Sequence, residues 1–569
     1  MIPSFLLKES IVAKPSYNRW LIALSALGIH LCIGSVYAWS LFNPALTKRA
    51  GVVISASGDW SLSSVVHVFT VAIVVLGLTA ALLGKWLERV GPRLVGLVAA
   101  TAWGGGLVVG GLGVMTGQLW LLYLGYGVIG GIGLGAGYIT PVSTLVRWFP
   151  DRRGMATGIA IMGFGGGAMI AKFMVDPLVK VFYEAPTYLG AASAVELVTR
   201  GGKRFAETAS GLTEVVLIGA NDVANMIVPG PEGVYVVGSG TSGAAATFIT
   251  LGVVYFVVMA IAAFSYRVPR EGWAPEGFTP ATNTKMVTRN DVHVDQALKT
   301  PQFYQLWIVL CFNVAAGIGV IGVAKTMMTE IFGTTLPGTV DAEFAATYVL
   351  MISVFNLIGR FGWASVSDFI GRKNTYHVFF GLGIVLYLSI PFMAEQVSVS
   401  PSIAYLVGFY AVTMLIFTMY GGGFATIPAY IADVFGTKFV GAIHGRLLTA
   451  WSTAAVIGSA AITTLRQSSV TSAIERLAAA TPDAAFQAKF GAAKAQLGEL
   501  MAAKTVTIAK LMEIAPAGTV DPTSGLYNST MYLMAALLGL ALVANALMRP
   551  VAARHHMTET RTDEVAEAA

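Results

Sequence analysis

The chain has 569 residues, 55% of them apolar and only 12% charged, with a net charge of +6. Soluble domains carry about 25% charged residues, so half of the surface polarity that water demands is missing and a soluble globular protein is excluded. The only two cysteines, Cys32 and Cys311, lie inside apolar runs, which rules out a disulfide scaffold or a thiolate metal site.

A helix that crosses a bilayer needs about 20 apolar residues. Stretches of this kind occur at 19–42, 63–84, 94–115, 119–146, 154–174, 243–265, 303–325, 345–366, 375–394, 402–432, 441–465 and 526–548. The first of them lacks a cleavage site after a short apolar core and reads as a retained helix, not a signal peptide. The expected fold is therefore an all-α membrane protein of twelve transmembrane helices. The expected divisions are a first half at 1–174, an insertion at 175–242, a sixth helix at 243–265 and a linker at 266–302. A second half at 303–465, a second insertion at 466–525, a last helix at 526–548 and a tail at 549–569 follow.

Orientation follows from the distribution of lysine and arginine, which concentrate on the cytosolic side. With the N-terminus inside, the inner segments hold 21 basic residues, among them Arg89, Arg147, Arg372 and Arg549. The short outer loops hold three: Lys48, Arg49 and Lys325. Both termini are thus expected in the cytosol and both insertions outside, in a bacterial inner membrane.

The chain repeats itself. Glu88, Arg89 and Gly91 follow the second helix, and Asp368, Gly371 and Arg372 follow the eighth, 280 residues later from glycine to glycine. Glycine permits the tight turn, and the charges can lock helix ends at the inner face as part of a gate. Pro141 near the end of the fourth helix is matched by Pro428 in the tenth, 287 residues on. Small residues four apart, such as Gly154 and Gly158, or Gly441 and Gly445, allow close helix contact in lipid. Two six-helix halves in parallel repeat form a transporter architecture with its site at the bilayer midplane, between the halves.

The two acid–glycine–basic loops make the chain resemble the major facilitator superfamily. More closely, it resembles the oxalate/formate antiporter family, relatives of the monocarboxylate transporters. The carrying residues are Asn18 to Trp20, Ile29 to Phe42 with His30, Tyr37 and Trp39, Arg360, and Gly441 to Arg446. The first loop departs from the usual pattern, with Glu88 for aspartate and Pro92 for a basic residue.

Arg360 stands eight residues before Asp368, about 12 Å up a helix from the inner surface. A central arginine costs several kcal/mol to insert, so it must face the interior. No acidic residue lies at matching depth, and a guanidinium offers a fork for a carboxylate. Asn356 is one turn away on the same face, placed to bond substrate or to orient the arginine. His30 is at midplane depth and is a candidate for carrying a coupling proton. The alternative for it is a neutral histidine bonded to a neighbouring helix. The resemblance implies a substrate-binding arginine at Arg360 and a pocket tyrosine at Tyr37. It further points to an aromatic wall from Tyr138, Phe164, Tyr420, Phe424 and Trp451. The oxalate carriers also use a lysine in helix eleven, whereas here Leu447 to Ile462 contains none and Trp451 occupies the aligned place. One fixed positive charge suits one carboxylate.

The two insertions are expected to pack on each other as an external cap, with 484–512 patterned as one amphipathic helix. The expected function is secondary transport of a small carboxylate such as lactate, pyruvate or formate, by anion exchange or proton symport. Oxalate/formate exchange and a transporter-fold carboxylate sensor are the alternatives. No metal cluster, nucleotide loop or paired catalytic carboxylates appear in the spans, so neither an enzyme nor a cofactor is expected. The partners expected are the bilayer and the carboxylate, with no nucleic acid and no second subunit.

Overall fold

The computed structural model describes residues 3–149, 153–270, 273, 275, 291–436 and 439–557, without the side chains at 85, 88, 146, 153–160, 224 and 441. Among the described residues, eleven helical segments are long and apolar enough to cross a membrane. The first half holds α1 (Trp20–Gly34, continued by a 3-10 segment to Leu41), α2 (Leu62–Val90) and α3 (Pro92–Thr116). It continues with α4 (Gly130–Trp148, entered through a π-helical turn at Tyr123–Ile129), α5 (Arg153–Val181) and α6 (Ala244–Ser265). The second half holds α7 (Pro301–Phe332), α8 (Ala342–Ile370), α9 (Arg372–Val399), α10 (Ile403–Phe435), α11 (Thr449–Ala480) and α12 (Asn528–Ala546). α5, which lies outside these eleven, is a helix of 29 residues.

Glycines set how close the helices come, and they do so symmetrically. A Cβ at Gly34 of α1 would lie 2.3 Å from the Phe164 carbonyl oxygen of α5, and one at Gly167 would lie 2.3 Å from the Gly34 carbonyl carbon. In the second half a Cβ at Gly319 of α7 would lie 2.5 Å from the Gly458 carbonyl oxygen of α11. Backbones this close gain dispersion contacts that lipid cannot supply. The halves meet along α5 with α8 and α2 with α11. Ser353 Oγ donates to the Gly165 carbonyl at 2.6 Å, and Ser452 Oγ to the Val74 carbonyl at 3.0 Å.

Both insertions emerge at one end of the bundle, the cap end. The linker between the halves lies at the other. The first insertion carries an antiparallel sheet in the order β2-β6-β5-β4-β3, formed by Tyr188–Gly190, Gly233–Val236, Gly211–Ile218, Lys203–Thr208 and Leu197–Arg200. β1 (Tyr183–Glu184) and β7 (Thr241–Ser242) pair at its root. The turn from β3 to β4 is Gly201-Gly202, with φ of +54° and +74°, a mirror-image turn that suits glycine. The second insertion is not the single helix expected over 484–512. It is three short helices, Asp483–Phe490, Leu497–Ala502 and Ile508–Met512. Left-handed residues at Gly491 and Lys504 break it.

The insertions bond to each other. Thr199 Oγ1 donates to the Phe490 carbonyl at 3.1 Å, Asn221 Nδ2 to the Ala509 carbonyl at 3.3 Å, and Arg204 to the Lys489 carbonyl.

Candidate functional site

The expected site residues come from both halves and converge. Tyr37 stands in the 3-10 continuation of α1, Tyr138 on α4 and Phe164 on α5. Asn356 and Arg360 stand on α8, Tyr420 and Phe424 on α10, and Trp451 on α11. The rings form a continuous edge-to-face cage, the arrangement their quadrupoles favour. Phe164 lies 5.2 Å from Tyr37, 5.5 Å from Tyr138 and 5.6 Å from Trp451 between centroids. Phe424 lies 4.7 Å from Trp451 and 5.5 Å from Tyr420. The Tyr37 and Tyr420 hydroxyls share a hydrogen bond of 2.9 Å across the two halves.

Arg360 closes one wall. Its side chain is 4% exposed, with the guanidinium carbon 5.2 Å over the Phe424 ring. Its Nε donates to Asn356 Oδ1 at 3.0 Å, and Nη1 donates to the Ile161 carbonyl of α5 at 3.2 Å. Neither partner is an acid, and among the described residues Arg360 forms no ion pair. Among the described residues its Nη2 has no acceptor; nor have Asn356 Nδ2 or Trp451 Nε1. Three buried donors around one cage thus lack acceptors, each a state that costs about 1–3 kcal/mol. Gly165 makes the room for the guanidinium, because a Cβ there would lie 2.9 Å from Arg360 Nε.

His30 is wholly buried beside the cage, 5.7 Å from Tyr138 and 6.3 Å from Phe164. Its Nε2 lies 3.2 Å from the Tyr138 carbonyl. A carbonyl only accepts, so Nε2 carries the proton.

The charges of the second loop act within their own half. Asp368 pairs with Arg372 one turn on, and Arg372 Nε lies 3.8 Å from Asp433 of α10. Gly91 and Gly371 adopt φ of +91° and +85°, backbone that favours glycine. Arg89 is exposed, and the Glu88 side chain lies outside the described residues. Arg446 bonds Asp295 at 2.9 Å at the linker end. Lys325 faces Asp176 of α5 at 3.5 Å.

Sequence reasoning missed the Ile161 carbonyl, Ser353, Asp176 and Asp433. The carbonyl carries no residue signal. The two aspartates were legible as acids near helix ends.

The sequence profile of the Major Facilitator Superfamily matches residues 24–179 and 217–459. The chain belongs to the Major Facilitator Superfamily. Among its relatives in this superfamily, an oxalate:formate antiporter from Oxalobacter formigenes is 26% identical over 78% of this chain and 83% of its own length. The apicoplast pyruvate carrier 1 of Toxoplasma gondii is 24% identical over 78% of this chain and 84% of its own. Of solved structures, a bacterial homolog of the human lysosomal transporter Spinster, inward-facing and unoccupied, aligns with a TM-score of 0.57 at 14% identity, covering 96% of this chain and all of its own. The Escherichia coli xylose transporter XylE, partially occluded and inward-open, aligns with a TM-score of 0.52 at 13% identity over 94% of this chain and all of its own. The superfamily fold is thereby established, and with it an integral membrane transporter.

Proposed function

We propose that this transporter carries a small monocarboxylate, with lactate, pyruvate and formate as the leading candidates, by alternating access around Arg360. One observation carries the reading: three buried donors, on Arg360, Asn356 and Trp451, surround one cage without acceptors among the described residues. A carboxylate is acceptor-only and satisfies several donors at once. Arg360 brings one positive charge with no acid to cancel it, so a monoanion leaves the occupied site neutral. The rings around it suit a short apolar body. The pyruvate carrier among the relatives agrees with this class.

The guanidinium also joins the halves, through the Ile161 carbonyl. An arriving carboxylate competes for that donor, which couples occupancy to the contact between α5 and α8. We assign the termini to the cytosol of a bacterial inner membrane, the insertions to the outside, and the working unit to a monomer. His30 remains the candidate for proton coupling and the loop residues Glu88, Arg89, Gly91, Asp368, Gly371 and Arg372 for the inner gate.

The test is counterflow in proteoliposomes with labelled lactate, pyruvate, formate and oxalate. A charge-assisted hydrogen bond contributes about 1.5–3 kcal/mol, so Arg360→Ala should slow monocarboxylate exchange at least about tenfold at subsaturating substrate. Arg360→Lys keeps the charge but loses the fork and should rescue exchange in part only. A Trp451→Lys variant, with a second charge in the cage, should shift preference toward oxalate. Native-like exchange by both Arg360 variants would refute the clamp.

A further inference from the structure

A cavity of about 1250 Å³ lies between the cap and the bundle. It is larger than the usual range of about 300–1,000 Å³ for small-molecule sites. The first insertion contributes Asn221 to its lining, the second Lys504, and the helices Lys172, Asp176, Lys325 and Arg466. Lys172 stands eight residues beyond Phe164 on α5, and Lys325 eight beyond Gly317, the residue on which Tyr420 packs. Each spacing amounts to about 12 Å, so the cavity begins one layer outward of the aromatic cage.

Three of the six cations on its wall are engaged. Arg466 pairs with Glu330, and Lys504 Nζ donates to Ser55 Oγ and to the Asp59 carbonyl, both at 2.8 Å. Lys325 faces Asp176 at 3.5 Å, a long contact that leaves donors to spare. Lys48 differs. It is part-buried in the loop after α1, lines the cavity, and has neither a hydrogen bond nor an ion pair for its ammonium among the described residues.

The acids whose charge reaches Lys48 are Asp222, Asp59 and Glu330, and all are held elsewhere. Asp59 accepts from the backbone N–H groups of Ala50, Gly51 and Ala56 at 2.6, 3.0 and 2.8 Å. Asp222 accepts from the Gly219 N–H at 3.1 Å. Glu330 accepts from Arg466 Nε at 2.8 Å and the Tyr527 hydroxyl at 2.6 Å. Burial and the Lys325 ammonium push Lys48 down to about 8, the mark of a cation short of a counter-charge.

We propose that this cavity is a second carboxylate site, in which the anion lies between the ammonium groups of Lys48 and Lys325 beneath the two insertions. There it relieves the repulsion between two lysines, and the cap slows its escape before it reaches Arg360. The identity of the anion rests on the transport reading above; the existence of a second bound equivalent does not.

Equilibrium binding of radiolabelled pyruvate to the full chain in lipid nanodiscs tests this. The native protein should bind two equivalents, Lys48→Gln one, Arg360→Ala one, and the double variant none. Lys48→Arg, which keeps the charge, should bind two and so exclude a folding defect at this position. Two equivalents on Lys48→Gln would overturn the proposal. So would a native protein that binds one equivalent and loses it with Arg360→Ala. If Arg360→Ala binds two while Lys48→Gln binds one, the vestibule site stands and the Arg360 clamp falls.

Discussion

Asn356 holds Arg360 through a single 3.0 Å hydrogen bond from Nε to its amide oxygen. The atom that accepts this bond decides what else the guanidinium can take. Asn356→Asp would replace a neutral acceptor with a resident carboxylate one helical turn away, and the pair would close on itself. The variant should fold with a melting temperature at or above native, since a buried cation gains a partner. Its monocarboxylate uptake should fall by about tenfold to a hundredfold, the equivalent of about 1.5–3 kcal/mol of charged hydrogen bonding. Uptake and thermal melting of the same preparation check both halves. Native-like uptake would mean that Arg360 serves structure alone. The residue scale was legible at Arg360 because a mid-membrane charge has no cheap explanation. It was illegible at Ile161, whose part is played by a carbonyl that any residue would carry.

The spanning helices were legible as elements because 20 or so apolar residues in a row have few other uses. Their ends were less so. α11 runs on to Ala480 because Ile474 and Leu477 are buried beyond the expected boundary. The first insertion hid a five-stranded sheet, although Gly201-Gly202 between β-branched and aromatic runs is a hairpin signal that was there to be read. The second insertion was misread as one helix because apolar periodicity survives a break at a single left-handed residue such as Gly491, φ +64°. That break abuts the sheet. A Cβ at Gly491 would lie 3.5 Å from Thr199 Cβ, at the near edge of disulfide range. Oxidising a Thr199→Cys/Gly491→Cys pair should staple the insertions and slow exchange severalfold, with recovery on reduction. Unchanged exchange by a fully oxidised sample would show that the insertions need not part during the cycle.

At the scale of the whole molecule, the repeat joins two halves whose helical bundles touch, among the described residues, at few polar points: Ser353 with Gly165, Ser452 with Val74, Asn43 with Gly322, Tyr37 with Tyr420, Lys325 with Asp176, and Arg360 with Ile161. The central bonds of this set lie at the cage, so what fills the cage bears on how the halves stand. Parallel repeats of this kind work by rocking about a fixed midplane site, and a ligand shifts such an equilibrium only through contacts that differ between states. The exchange of the Ile161 carbonyl for a substrate carboxylate on Arg360 is such a contact. It is read most directly by solid-state NMR on protein with nitrogen-15 guanidinium groups and pyruvate labelled with carbon-13 at its carboxylate. The account predicts carbon–nitrogen dipolar coupling at about 4 Å, the separation that a charge-assisted fork imposes, and its loss in Arg360→Lys. Absence of coupling in native protein with pyruvate bound, or its persistence in Arg360→Lys, would contradict the account.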